Sequence, residues 1–87
     1  MHAVVVRSTI HDIENGLKFL REEAAPRLSQ APGFVAAYWV KLEGNQGTSM
    51  LFFESEEAAR AAAEQINPPA GVVTVDSRQI GEVVHHI

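Results

Sequence analysis

"APGFVAAYWV", residues 31–40, opens on a turn signal, Pro32-Gly33, and then stays apolar at every position. In an extended strand successive side chains point to opposite faces. Phe34, Ala36, Tyr38 and Val40 then share one face, and Val35, Ala37 and Trp39 share the other. A strand that is apolar on both sides has to be covered on both sides, because an open apolar patch promotes association. What covers the second side decides the architecture.

The flanking segments supply the other elements. "HAVVVRST" (2–9) is short and β-branched and reads as a strand. Asp12 is placed to cap a helix, its carboxylate accepting from the first free amides. Ile13, Leu17, Leu20, Ala24 and Leu28 then form one helical stripe, with Glu14, Lys18, Arg21 and Glu22 off it. Gly16 weakens that helix by about 1 kcal/mol relative to Ala. Pro26 removes an amide donor and disfavours the α region at Ala25, which predicts a kink or break near Ala24–Pro26.

Phe34–Leu42 and Thr48–Glu54 are strands joined by the turn "EGNQGT" (43–48), an antiparallel hairpin. "SEEAARAAAEQI" (55–66) is a second helix, with Ser55 as N-cap, Glu56 and Glu57 at the positive end of the dipole, and Glu56 and Arg60 at i,i+4. Ala59, Ala62, Ala63 and Ile66 form its inner stripe, and "NPPAG" (67–71) ends it. "VVTVDSRQIGEVVHHI" (72–87) is strand-like, but its full extension would reach ~53 Å. A bend or bulge is therefore expected at Gly81, and "EVVHHI" must pair elsewhere.

Strand, helix, strand, strand, helix, strand is the split βαβ pattern. With right-handed crossovers it gives an α+β, ferredoxin-like βαββαβ fold whose antiparallel sheet has the order 4-1-3-2. Residues 1–87 make one domain. Both helices cover one sheet face, so a second sheet is the simplest cover for the other, and a two-fold homodimer provides it as a dimeric α/β barrel. Six large side chains losing ~80–100 Å² each would contribute ~12–15 kcal/mol per subunit before association costs.

Composition excludes several functions. Seven basic and eleven acidic residues give a net charge of −4, which argues against nucleic acid as a partner. The chain has no cysteine, so a thiolate nucleophile and a cysteine zinc site are excluded. No apolar run approaches the ~18 residues that span a bilayer, and "MHAVVVRSTI" is too short for a signal h-region. A soluble, cytoplasmic protein without a membrane partner is expected.

"PRLSQAPGFVAAYWV" (26–40) and "LFFESEEAARAAAEQI" (51–66) resemble the dimeric α+β barrels of the antibiotic-biosynthesis-monooxygenase-like (ABM-like) superfamily. The resemblance spans essentially the whole chain in the same element order. It implies a homodimer with an eight-stranded central barrel, a pocket in each subunit between sheet and helices, and a C-terminal strand, here "EVVHHI", reaching across to the partner. Activities in the superfamily include cofactor-free oxidation of aromatic polyketides, haem degradation and isomerisation of small acids. The haem-degrading branch uses an Asn on strand one, a Trp on the second helix and a His just beyond. The counterparts here are Val6 and Ala62, with the His-bearing segment missing, so haem degradation is disfavoured.

The ligand-pocket candidates are Arg7, Tyr38, Trp39 and Phe52. Tyr38 and Trp39 must point to opposite faces, one into the dimer core and the other into the pocket; register alone leaves open which is which. Arg7, on a strand expected to be central, would hold a carboxylate or enolate, or reach water at the strand end. His2 falls near His85 or His86 in this topology, but without HxxxH spacing or a positioned carboxylate no metal site is assigned. His11 reads as a loop residue. "GNQG" lacks the Lys-Ser/Thr of a phosphate loop. The alanines from Ala58 to Ala63 either pack a helix close to the sheet or leave room for a planar ligand.

Two functions fit. One is a monooxygenase-like enzyme needing neither metal nor flavin, acting on a small apolar or aromatic substrate. The other is a non-catalytic ligand-binding or protein-interaction dimer. A cavity of ~300 Å³ or more with a convergent polar group would favour the enzyme.

Overall fold

A computed structural model describes all 87 residues. The elements are β1 (His2–Ile10), α1 (Ile13–Phe19), a π-helical turn (Leu20–Ala24), α2 (Ala25–Ser29), β2 (Phe34–Lys41), β3 (Gln46–Phe53), α3 (Glu56–Ala63) and β4 (Val73–Glu82). The sheet order is β2-β3-β1-β4 with every neighbouring pair antiparallel. This is the expected 4-1-3-2 order, counted from the other edge.

Local chemistry sets the helix starts. The Asp12 carboxylate accepts from the Asn15 amide at 3.1 Å and from Asn15 Nδ2 at 2.7 Å. Those bonds hold its pKa below the ordinary value of 3.8. The Ser55 hydroxyl accepts from the Ala58 amide at 3.1 Å, and Arg60 Nε reaches Glu56 Oε2 at 3.1 Å. The first helical arm does not break at Pro26. The Ala25 amide bonds back five residues to the Leu20 carbonyl. This π-type slip lets a residue without an N–H enter a continuous helix.

Two bulges set which side chains face the helices. Phe34 pairs with Phe53, but Ala36 pairs with Phe52, so Val35 is the extra residue. Simple alternation put Phe34 with Tyr38. The bulge instead turns Phe34 onto the helix side, where its ring meets Phe53 edge-on at 5.9 Å. The second bulge corrects the expectation for Gly81, which pairs regularly with Ala3. The irregularity falls opposite Arg7 and Ser8, where Asp76 is extra. It brings Arg78 onto the helix side, opposite Val6. Arg78 donates there to the carbonyls of Ala63 (3.0 Å) and Ile66 (2.9 Å), which satisfies the end of α3.

The helix-side face has two unlike ends. At one, Val4, Val6, Leu51 and Phe53 meet Ala59, Ala62 and Ala63 in a closed core. At the other, the same strands carry Ser8, Ile10, Ser49 and Gly47, with α1 above them. The opposite sheet face is uncovered by any element of the chain. It presents Tyr38, 63% exposed, with Val40, Met50 and Phe52, and Tyr38 and Phe52 pack edge to face at 6.3 Å. Beyond β4 the Val83 amide bonds to the Met1 carbonyl at 2.9 Å. Val84 and Ile87 then extend into solvent. No helix is long and apolar enough to cross a membrane.

Candidate functional site

A cavity of about 390 Å³ occupies the open end of the helix-side face. Its origin can be followed along two neighbouring strands. On β1 the inward residues run Val4, Val6, Ser8; on β3 they run Phe53, Leu51, Ser49, Gly47. The register sets Val6 opposite Ser49 and Ser8 opposite Gly47. Large apolar groups therefore give way to small ones on both strands at the same level of the sheet. The helix above does not drop to fill the space. Ile13 and Leu17 point toward the cavity but remain 38% and 44% exposed.

The walls are largely aliphatic. Leu20, Ala24 and Leu28 continue the stripe of the first helical arm, Val73 and Val75 come from β4, and Ala62 and Ile66 close the side toward α3. The π-helical turn lies within this wall. The polar groups are Ser8, Thr48, the buried Ser49, Arg27, Lys41, Gln65 and Asn67. No carboxylate, imidazole, thiol or phenol lines the cavity.

Of the four residues singled out from the sequence, Trp39 lines this cavity. It pairs with Ser49, whose small side chain leaves the indole facing open space. Tyr38 and Phe52 are correspondingly on the opposite sheet face, one residue out of phase with Trp39 and Leu51. Arg7 is also there: it follows the inward Val6, sits opposite Thr48 and Ser77, and is exposed. A single cavity thus does not gather all four, because adjacent strand positions cannot share a face.

The histidines do not converge. No group of three or more His, Cys, Asp or Glu side chains is placed to hold a metal. His2 Nε2 lies 3.6 Å from Glu56 Oε1 on α3, and His11 Nε2 lies 2.7 Å from Thr74 Oγ1. His85 and His86 follow the end of β4 and are exposed. Ser49, Ser8, Lys41 and Arg27 went unnoticed in the sequence. The signal for the serines was available: the shift from Val and Leu to Ser and Gly with strand period in both β1 and β3.

No family model matches the chain, and no curated protein matches it. Solved structures do. A dimeric ferredoxin-like protein from an uncultured marine organism superposes with a TM-score of 0.69 at 19% identity, covering 100% of this chain and 98% of the other. The heme-degrader MhuD from Mycobacterium tuberculosis, with two hemes bound in its active site, gives a TM-score of 0.56 at 24% identity, covering 97% of this chain and 98% of its own. The fold is therefore ferredoxin-like along its full length.

Proposed function

We propose that this chain is an ABM-like homodimer that holds a small apolar or aromatic molecule between its helices and its sheet. The cavity beside Trp39 carries this reading: it is about 390 Å³, mostly aliphatic, with a few polar groups. Volume and lining of this kind are typical of small-molecule sites. Trp39 is the chain's one tryptophan, so its fluorescence reports occupancy directly. Titration with the neutral probes benzyl alcohol and octanol should shift the emission saturably. Ser49→Leu, which puts a larger side chain in the space beside the indole, should weaken the shift. No saturable change with either probe up to millimolar concentration refutes the reading.

The homodimer rests on the uncovered face with Tyr38, Val40, Met50 and Phe52. Leaving it wet forfeits apolar burial that a second sheet would recover. The exposed tail from Val84 to Ile87 is free to lie against the second subunit. Light scattering should give the mass of two 9.5 kDa chains, and Phe52→Asp or Met50→Asp should halve it. A monomer at micromolar concentration would remove this part of the proposal.

The cavity exceeds the ~300 Å³ that would favour an enzyme and carries polar groups, but binding is favoured over catalysis because the wall has no carboxylate, imidazole or thiol to move a proton. The second reading is a monooxygenase-like enzyme for an electron-rich phenol. It is favoured by the two cations and two serine hydroxyls on the wall, which could stabilise a developing anion. Oxygen uptake with such phenols above the protein-free rate supports it; none leaves binding alone. Haem does not suit this cavity, since no His, Cys, Met or Tyr lines it to ligate iron.

A further inference from the structure

The cavity's charge is unlike that of the chain around it. The chain carries eleven carboxylates against seven cationic side chains. None of the eleven lines the cavity, whereas Arg27 and Lys41 both do. Neither is neutralised. Glu56 is paired with Arg60 at 3.1 Å and has His2 Nε2 at 3.6 Å, and neither contact involves Arg27 or Lys41. Arg78, on the helix side of β4, is already held by the Ala63 and Ile66 carbonyls. An acidic protein thus keeps an apolar cleft with two positive charges and no negative one. Low-dielectric walls focus such a field into the cleft.

Placement adds to the charge. Lys41 lies two residues beyond Trp39 on the same strand and the same face, about 7 Å along it. Arg27 comes from α2 in the opposing helical layer. Both are exposed, so a bound anion would keep part of its hydration and escape the full penalty of burial. The apolar remainder of a ligand has the aliphatic wall and the indole below.

We infer that the ligand of this cavity is an amphipathic anion: an apolar ring or chain bearing one carboxylate, its body against Trp39 and its charge at Lys41 and Arg27. This rests on the ligand-binding reading above and adds the charge of the ligand. Octanoate, octanol and octylammonium share one apolar chain and differ in the head group. Trp39 emission and calorimetry would follow each with the full-length protein. Octanoate should bind about tenfold more tightly than octanol, with octylammonium weakest; charge-assisted hydrogen bonds give such a margin after discounting for exposure. Arg27→Gln with Lys41→Gln should bring octanoate to the octanol value and leave octanol unchanged, and circular dichroism should confirm that this double variant folds. Added salt should weaken octanoate alone.

Octanol binding as tightly as octanoate overturns the inference and leaves the apolar site standing. A carboxylate preference that survives the double substitution also overturns it. If none of the three perturbs Trp39 at millimolar concentration, the apolar site and its charge preference fall together.

Discussion

The two ends of the helix-side face are built from the same strands, yet one is a core and the other a cavity. At the closed end large sheet residues meet small helix residues: Phe53 and Val4 are fully buried beneath Ala59. At the open end the order is reversed. Small sheet residues, Ser8, Ser49 and Gly47, face the large Ile13 and Leu17. Both pairings are size-complementary in composition, but only the first closes. A short alanine helix can approach the sheet until its backbone nearly touches the side chains below. The first helical arm is held at its end by the Asp12 cap and by His11 and Asp12 amides bonded to the Val72 carbonyl, so its leucines stop short.

This contrast can be broken from either end. The largest effect is expected at the closed end, where Phe53→Ala should destabilise by about 3–5 kcal/mol in urea unfolding at fixed protein concentration. A loss under 1 kcal/mol there would mean that the closed end is not the core. Ala59→Leu should overpack the same region and cost about 1–3 kcal/mol. Leu17→Ala removes as many atoms as a typical core truncation, but from a half-exposed side chain at the cavity. It should cost under about 1 kcal/mol, below the usual core range; a loss of core size would show that the arm packs down in solution.

Smaller still is Gly16→Ala. Gly16 has no positive φ, and an added Cβ would sit 3.7 Å from Val73 Cγ2, an ordinary contact. The substitution should stabilise by about 0.4–1 kcal/mol through helix propensity and a less flexible unfolded chain. The least effect is a pH dependence. Folding lowers the Asp12 pKa from 3.8, so its stabilisation is present above that value and is lost as pH falls through the folded one. Asp12→Asn should retain the cap and flatten this acid limb.

Gly33 shows how closely the closed end is built. Its φ is +74°, and a Cβ there would lie 3.1 Å from the Ala58 Cβ. The turn into β2 and the approach of α3 therefore depend on the same glycine, and "PG" in the sequence was a reliable sign of that turn.

The amino-acid sequence by itself determined the order of elements, the two helix caps, the hairpin and, through crossover handedness, the sheet order. These depend on periodicity, capping chemistry and chirality, which act over a few residues or apply to every chain. It also required that Tyr38 and Trp39 point apart. Tertiary structure decided which of them faces the helices, because the Val35 bulge sets the phase of β2 against β3. It likewise placed the second bulge at Asp76 rather than Gly81, gave Arg78 its carbonyl partners, and left a cavity where the serines lie. Those outcomes depend on how close two layers come, a distance set by all the side chains between them at once.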